Sequence, residues 1–131
     1  MENLAIIKGV FSVICGIIAY WLGGYDLLLQ TLISLSVLDF VSGVLGAFRT
    51  HSFEANKCGE GILNKIYIYI MVAVSVIAQR FLGDSIPIRE TVIVFYIVYE
   101  GTSIIENIGK FVEYPEKIKQ VFLKLTEGNN E

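Results

Sequence analysis

The 131-residue chain is 54% hydrophobic and 18% charged, with a mean hydropathy of +0.63. Soluble domains carry about a quarter charged residues, so this length and composition describe one small domain that water suits poorly. A net charge of −3 gives no reason to expect a nucleic-acid binder, which normally shows a basic patch, and one histidine with two well-separated cysteines, Cys15 and Cys58, supplies neither a disulfide framework nor metal-ligand spacing.

Four stretches approach the roughly 20 apolar residues that a helix needs to cross a bilayer. The first is Leu4 to Leu22, interrupted only by Lys8, whose stem can carry its ammonium toward the headgroups. No Ala-x-Ala-like site follows it, so it reads as a retained span rather than a signal peptide. Gly23-Gly24-Tyr25-Asp26 predicts a tight turn and a hairpin into the second segment. Tyr20, Trp21 and Tyr25 cluster there, as interfacial aromatics do.

The second segment, Leu27 to Phe48, has Asp39 as its only charge. A soluble bundle would need a charged face on it, and there is none. Arg49 to Gly61 is polar and predicts a loop. The third segment is Ile62 to Leu82, with Lys65 and Arg80 near its ends. Its β-branched run, Ile66 to Ile77, would tolerate a strand, but an open sheet has no place in lipid. Gly83 to Pro87 predicts a second turn. The fourth segment, Ile88 to Ile108, is the least apolar, because Arg89, Glu90, Glu100 and Glu106 fall within it.

Pro115 can open a further helix. Ile118, Val121, Phe122 and Leu125 recur at helical spacing among Lys117, Lys119 and Lys124, so residues 111–125 form an amphipathic helix beside the membrane or a neighbouring subunit. Residues 126–131 are expected to be disordered. The fold expected is an all-α membrane protein: a transmembrane domain over residues 1–110 with four spans, 4–22, 27–48, 62–82 and 88–108, followed by the short cytoplasmic helix. With four spans, eight of the ten basic residues share one side with both termini, which the positive-inside rule makes cytoplasmic. Three spans, without the first or fourth segment, would divide the basic residues more evenly.

No Ser/His/Asp set, phosphate-cradling glycine loop or metal-ligand spacing is present, so neither an enzyme nor a cofactor is expected. The polar groups at membrane depth are the candidates for function. Asp39 lies on one helical stripe with Ser36, Gly43 and Gly46. Small residues at such spacing let helices approach closely, and an acid at this depth should face protein or water. The stripe is either a packing seam or the lining of a hydrated, proton-responsive path. Glu100, Ser103 and Asn107 share a face of the fourth segment, and Glu106 adjoins it, within reach of Lys110 at i+4.

Several motifs carry a family resemblance. Leu38-Asp39-Phe40-Val41-Ser42-Gly43 resembles the Leu-Asp-x-x-(Ser/Thr)-Gly pattern of the holins of phage lysis and clostridial toxin secretion. Gly59-Glu60-Gly61-Ile62-Leu63-Asn64-Lys65 is similar to their glycine-rich, lysine-containing approach to the next span. Phe95-Tyr96-Ile97-Val98-Tyr99-Glu100-Gly101-Thr102-Ser103-Ile104-Ile105-Glu106-Asn107 resembles their signature Phe-Tyr-Ile-x-x-Glu-x-x-Ser-Ile-x-Glu-Asn, with Tyr99 where asparagine is usual. The resemblance implies a non-enzymatic protein of the bacterial cytoplasmic membrane. Such a protein homo-oligomerises in the lipid bilayer and opens lesions that release a muralytic enzyme (an endolysin) or a toxin, without necessarily touching it. A small ion channel or transporter subunit, and an antiholin that restrains a partner holin, are the alternatives.

Overall fold

A computed structural model describes residues 1–113 and 115–127, and among them every regular element is helical. The order is α1 (Glu2–Trp21), α2 (Leu27–Arg49), α3 (Ala55–Leu82), α4 (Ile88–Gly109) and α5 (Glu116–Glu127). The first four are long and apolar enough to cross a membrane. At about 1.5 Å per residue each reaches roughly 30 Å or more, the thickness of the hydrocarbon core. The protein is thus an all-helical, multi-pass membrane protein. Residues 128–131, at the end of the expected disordered tail, lie outside the described residues.

α3 begins at Ala55, seven residues before the apolar run that predicts it. Hydropathy reports the part of a helix that lipid covers, whereas its polar first turns can stand in water. They are stabilised locally, with Lys57 Nζ 2.9 Å from Glu54 Oε1. The loop expected over 49–61 therefore shrinks to a few residues around Phe53.

The turns are built from specific chemistry. Asp26 caps α2, its carboxylate accepting the Leu29 amide at 3.0 Å, which satisfies one of the donors a helix start leaves free. Gly23 and Gly24 hold φ of +80° and +106°, a region costly for residues with a Cβ. A Cβ on Gly23 would also stand 2.5 Å from Arg89 Nε. Gly23→Ala is expected to destabilise the fold by about 2 kcal/mol through strain and overpacking, measured as a lower unfolding temperature in detergent. Gly24 has the same kind of φ but nothing near its Cβ position, so Gly24→Ala should cost less. Equal losses would mean that backbone strain alone matters.

α4 is the centre of the bundle. It packs closely along α2 and less extensively along α3, whereas α2 and α3 barely meet. The α2 seam, Leu29, Leu32, Ser36, Asp39, Gly43 and Gly46, alternates steps of three and four residues, the spacing that keeps one stripe against a neighbouring helix. Leu29, Leu32, Ile68, Val72 and Ile93 form the apolar core, with Leu22 from the first turn closing it. This core fills the half of the bundle next to the α1–α2 turn. The hairpin expected of α1 and α2 is not a packed one: the turn forms, but α1 packs along no other helix and contributes no buried residue.

Candidate functional site

In the other half of the bundle the seam becomes polar. Asp39 of α2, Lys65 of α3 and Glu100 of α4 converge, and the Lys65 ammonium donates to Asp39 Oδ2 and to Glu100 Oε2. Glu100 is fully buried, at 0% exposure, and its Oε1 has no hydrogen-bond partner. Asn107, two turns beyond Glu100, donates from Nδ2 to Asp39 Oδ1 at 3.2 Å and to Ser42 Oγ at 3.1 Å. One turn before Asp39, Ser36 Oγ accepts the Tyr69 hydroxyl at 3.1 Å. The three helices are therefore tied by a continuous polar strip at membrane depth.

Small residues make the strip possible. The position of a Cβ on Gly43 lies 3.6 Å from Asn107 Nδ2, and that on Gly46 lies 3.2 Å from the Phe111 ring. Larger side chains there would push α4 off α2. A cavity of about 320 Å³ leads from the α2–α3 loop, past Ser52 and Lys57, to Asp39, Lys65 and Asn107. The charged set thus has an open approach, of mixed polar and apolar lining, from the side of the α2–α3 loop. When all three groups are ionised it holds two carboxylates against one ammonium, leaving one negative charge uncompensated.

The sequence-predicted residues divide accordingly. Ser36, Asp39, Gly43, Gly46, Glu100 and Asn107 lie on the α2–α4 seam or its polar strip. Ser103 is half-buried on α4 beside the strip. Glu106 is exposed, and among the described residues it forms no ion pair with Lys110. Lys65 and Tyr69 were not singled out, yet Lys65 is the hub. Two acids at one depth in a membrane need a cation, and Lys65 is the basic residue of the facing helix at that level.

A second charged cluster fastens the opposite end. Arg89, 5% exposed, donates from Nε to the Leu22 carbonyl at 2.7 Å and from its terminal nitrogens to the Gly24 carbonyl and both Asp26 oxygens, at 2.7–3.2 Å. Gln79 Oε1 accepts the Arg89 amide at 2.8 Å. The guanidinium holds the Asp26 carboxyl below the usual carboxylate range, mainly through their hydrogen bonds. The planar fork suits this several-acceptor role in a way an ammonium does not. Close by, Arg80 lies over the Tyr20 ring, 4.4 Å from its centroid, and donates to the Tyr20 carbonyl at 3.0 Å. These contacts tie the α1–α2 turn to the ends of α3 and α4.

Comparison with known proteins places this arrangement. An uncharacterised protein of Clostridium perfringens is 31% identical over 99% of this chain and 98% of its own length. A second uncharacterised protein from that species, of 14.9 kDa, is 34% identical over 95% of this chain and 97% of its own. An uncharacterised Listeria monocytogenes protein is 33% identical over 82% of this chain and 77% of its own. No solved structure matches. The bacteriophage holin family matches residues 16–127, from the end of α1 through α5, and the chain belongs to that family.

Proposed function

We propose that the chain acts as a holin: it accumulates in the bacterial cytoplasmic membrane, oligomerises, and opens lesions through which a muralytic enzyme or toxin leaves the cytoplasm. The observation that carries this reading is the charged strip Asp39–Lys65–Glu100–Asn107 inside an otherwise apolar bundle, in a chain of this family. Each helix can insert, because the strip neutralises most of its own charge within one chain. Opening the bundle would expose carboxylates that lipid rejects and water accepts. As copies accumulate, association that lets these groups face a hydrated lumen becomes favourable by mass action. In this reading no catalysis is performed, and both termini and the cavity beside Ser52 face the cytoplasm, where eight of the ten basic residues lie.

The test is the timing of lysis in cells that express variants together with a muralytic enzyme. Asp39→Leu leaves Lys65 neutralised by Glu100, so the chain should still insert, while hole formation is delayed or abolished. Wild-type timing in this variant would reduce Asp39 to a packing residue. Removing residues after Lys110 should shift the timing and leave insertion intact. A truncated chain found in the soluble fraction would contradict this.

A further inference from the structure

A groove of about 390 Å³ runs between α2 and α4 toward the end of the bundle that carries the α2–α3 loop. Leu38, Val41 and Leu45 line it from α2, and Ile104 and Ile108 from α4. From Leu38 to Arg49 is eleven residues, about 16 Å along the helix, a length that a fatty acyl chain spans. The mouth of the groove is cationic, because Arg49, the last residue of α2, also lines it. Its guanidinium lies over the Phe111 ring, 4.8 Å from the centroid, which orients the fork without neutralising it. Arg49 is exposed, and among the described residues it forms no ion pair. Glu106 of α4 stands two residues from both Ile104 and Ile108, so it occupies the opposite side of its helix.

We infer that this groove binds one anionic phospholipid, with an acyl chain lying along α2 and α4 and the phosphate held by Arg49. Two independent observations select this occupant. The first is charge within the groove itself. α2 is long enough to cross the hydrocarbon core, so its last residue stands at the level of the headgroups. An oriented guanidinium with no carboxylate partner offers a phosphate two parallel donors there. An apolar helix in the groove would leave that fork without an acceptor. The second is α5, which meets α4 on the same side of the membrane. Ile118, Val121 and Leu125 share one exposed face of it. At 100° per residue, Lys117 and Lys124 lie along one edge of that face and Lys119 toward the other, while Glu116 and Glu127 stand opposite. A helix that flanks its apolar face with lysines and turns its acids away suits an anionic headgroup layer. The groove exists only while α2 and α4 stay together, so bound lipid favours the packed bundle by linkage. This inference rests on the membrane placement of the helices and not on lesion formation.

Tryptophan quenching in bilayers tests it, on the full-length chain carrying Trp21→Phe, which removes the one native tryptophan. Leu45→Trp places a reporter in the groove, and Leu63→Trp places one at an exposed position of α3 outside it. Each is reconstituted in phosphatidylcholine with a fixed fraction of phosphatidylglycerol, and one lipid or the other carries dibrominated acyl chains. The preference for phosphatidylglycerol should be about fivefold greater at the groove reporter than at the α3 reporter, the effect of roughly one basic residue beside an anionic lipid. Arg49→Gln should bring the two reporters level, and Arg49→Lys should keep a difference. Arg49 is exposed, so neither substitution touches the core. Equal preferences at the two reporters with Arg49 in place would mean diffuse attraction to the surface and would overturn the site. A difference that survives Arg49→Gln would overturn the role of Arg49.

Discussion

Lys65→Met is expected to be among the most destabilising single substitutions in this protein, at about 3 kcal/mol. Removing one partner of a buried ion pair typically costs 3–5 kcal/mol, because the remaining charge is left uncompensated. Here two carboxylates lose the one cation that pairs with them among the described residues, and one of the two is fully buried. The compensated variant, Lys65→Met with Asp39→Asn and Glu100→Gln, should regain most of the loss, since replacing an entire buried charged set is often nearly neutral. Equilibrium unfolding in mixed micelles, followed by circular dichroism, checks both. Wild-type stability in the single variant would mean that water already solvates the set. A triple variant no better than the single one would mean that Lys65 contributes mainly through packing.

Arg89→Met should also be damaging, by about 2–3 kcal/mol, for a different reason. Arg89 joins the start of α4 to the α1–α2 turn through two carbonyls and a carboxylate. Its loss leaves the buried Leu22 carbonyl without that donor, and it frees Asp26. Arg89→Lys should recover only part, because an ammonium cannot reach all these acceptors with the geometry of the fork. Asp26→Asn should cost much less, since the Asp26 side chain is about half exposed, at 48%. Acid has the same sign. The depressed Asp26 pKa means that its contribution is complete above the unfolded value near pH 4 and fades as pH falls through the lower folded value. Unfolding temperature measured from pH 7 down to pH 2 should therefore fall in wild type and be flatter in Arg89→Met. Parallel profiles would remove Asp26 from the account.

The four spans were legible because each is a long apolar run bounded by glycine-rich turns or polar connectors, and length against bilayer thickness is a strong constraint. The α2 seam was legible too. Ser36, Asp39, Gly43 and Gly46 share a stripe by helical arithmetic, and an acid among small residues in a span has few reasons to face lipid. The partner of that seam was within reach through Glu100 and Asn107, which stand on one face of α4 at matching depth.

Lys65 was not legible, because the apolar run begins only three residues before it. A lysine so placed reads as an anchor near the headgroups. The helix starts instead at Ala55, which sets Lys65 ten residues inside it. Arg89 misled in the same way: it weakened the hydropathy of the fourth span, whereas in the fold it is the clamp that positions that span. In both cases a single side chain carried the wrong sign in an average over the segment, and only the three-dimensional pairing restored its meaning. The separation of α1 from the bundle has no sequence signal at all, since its apolar residues suit lipid and protein equally well.

The central claim, that this chain opens lesions large enough for proteins, is tested most directly by inducing it in a bacterium with and without a cytoplasmic muralytic enzyme. Culture turbidity and a cytoplasmic reporter protein in the medium are the readouts. The account predicts abrupt lysis that depends on the enzyme, with the reporter released. Loss of membrane potential with no protein released would contradict it in favour of a small channel, and confirmed insertion with no effect on the cells would contradict it in favour of an antiholin.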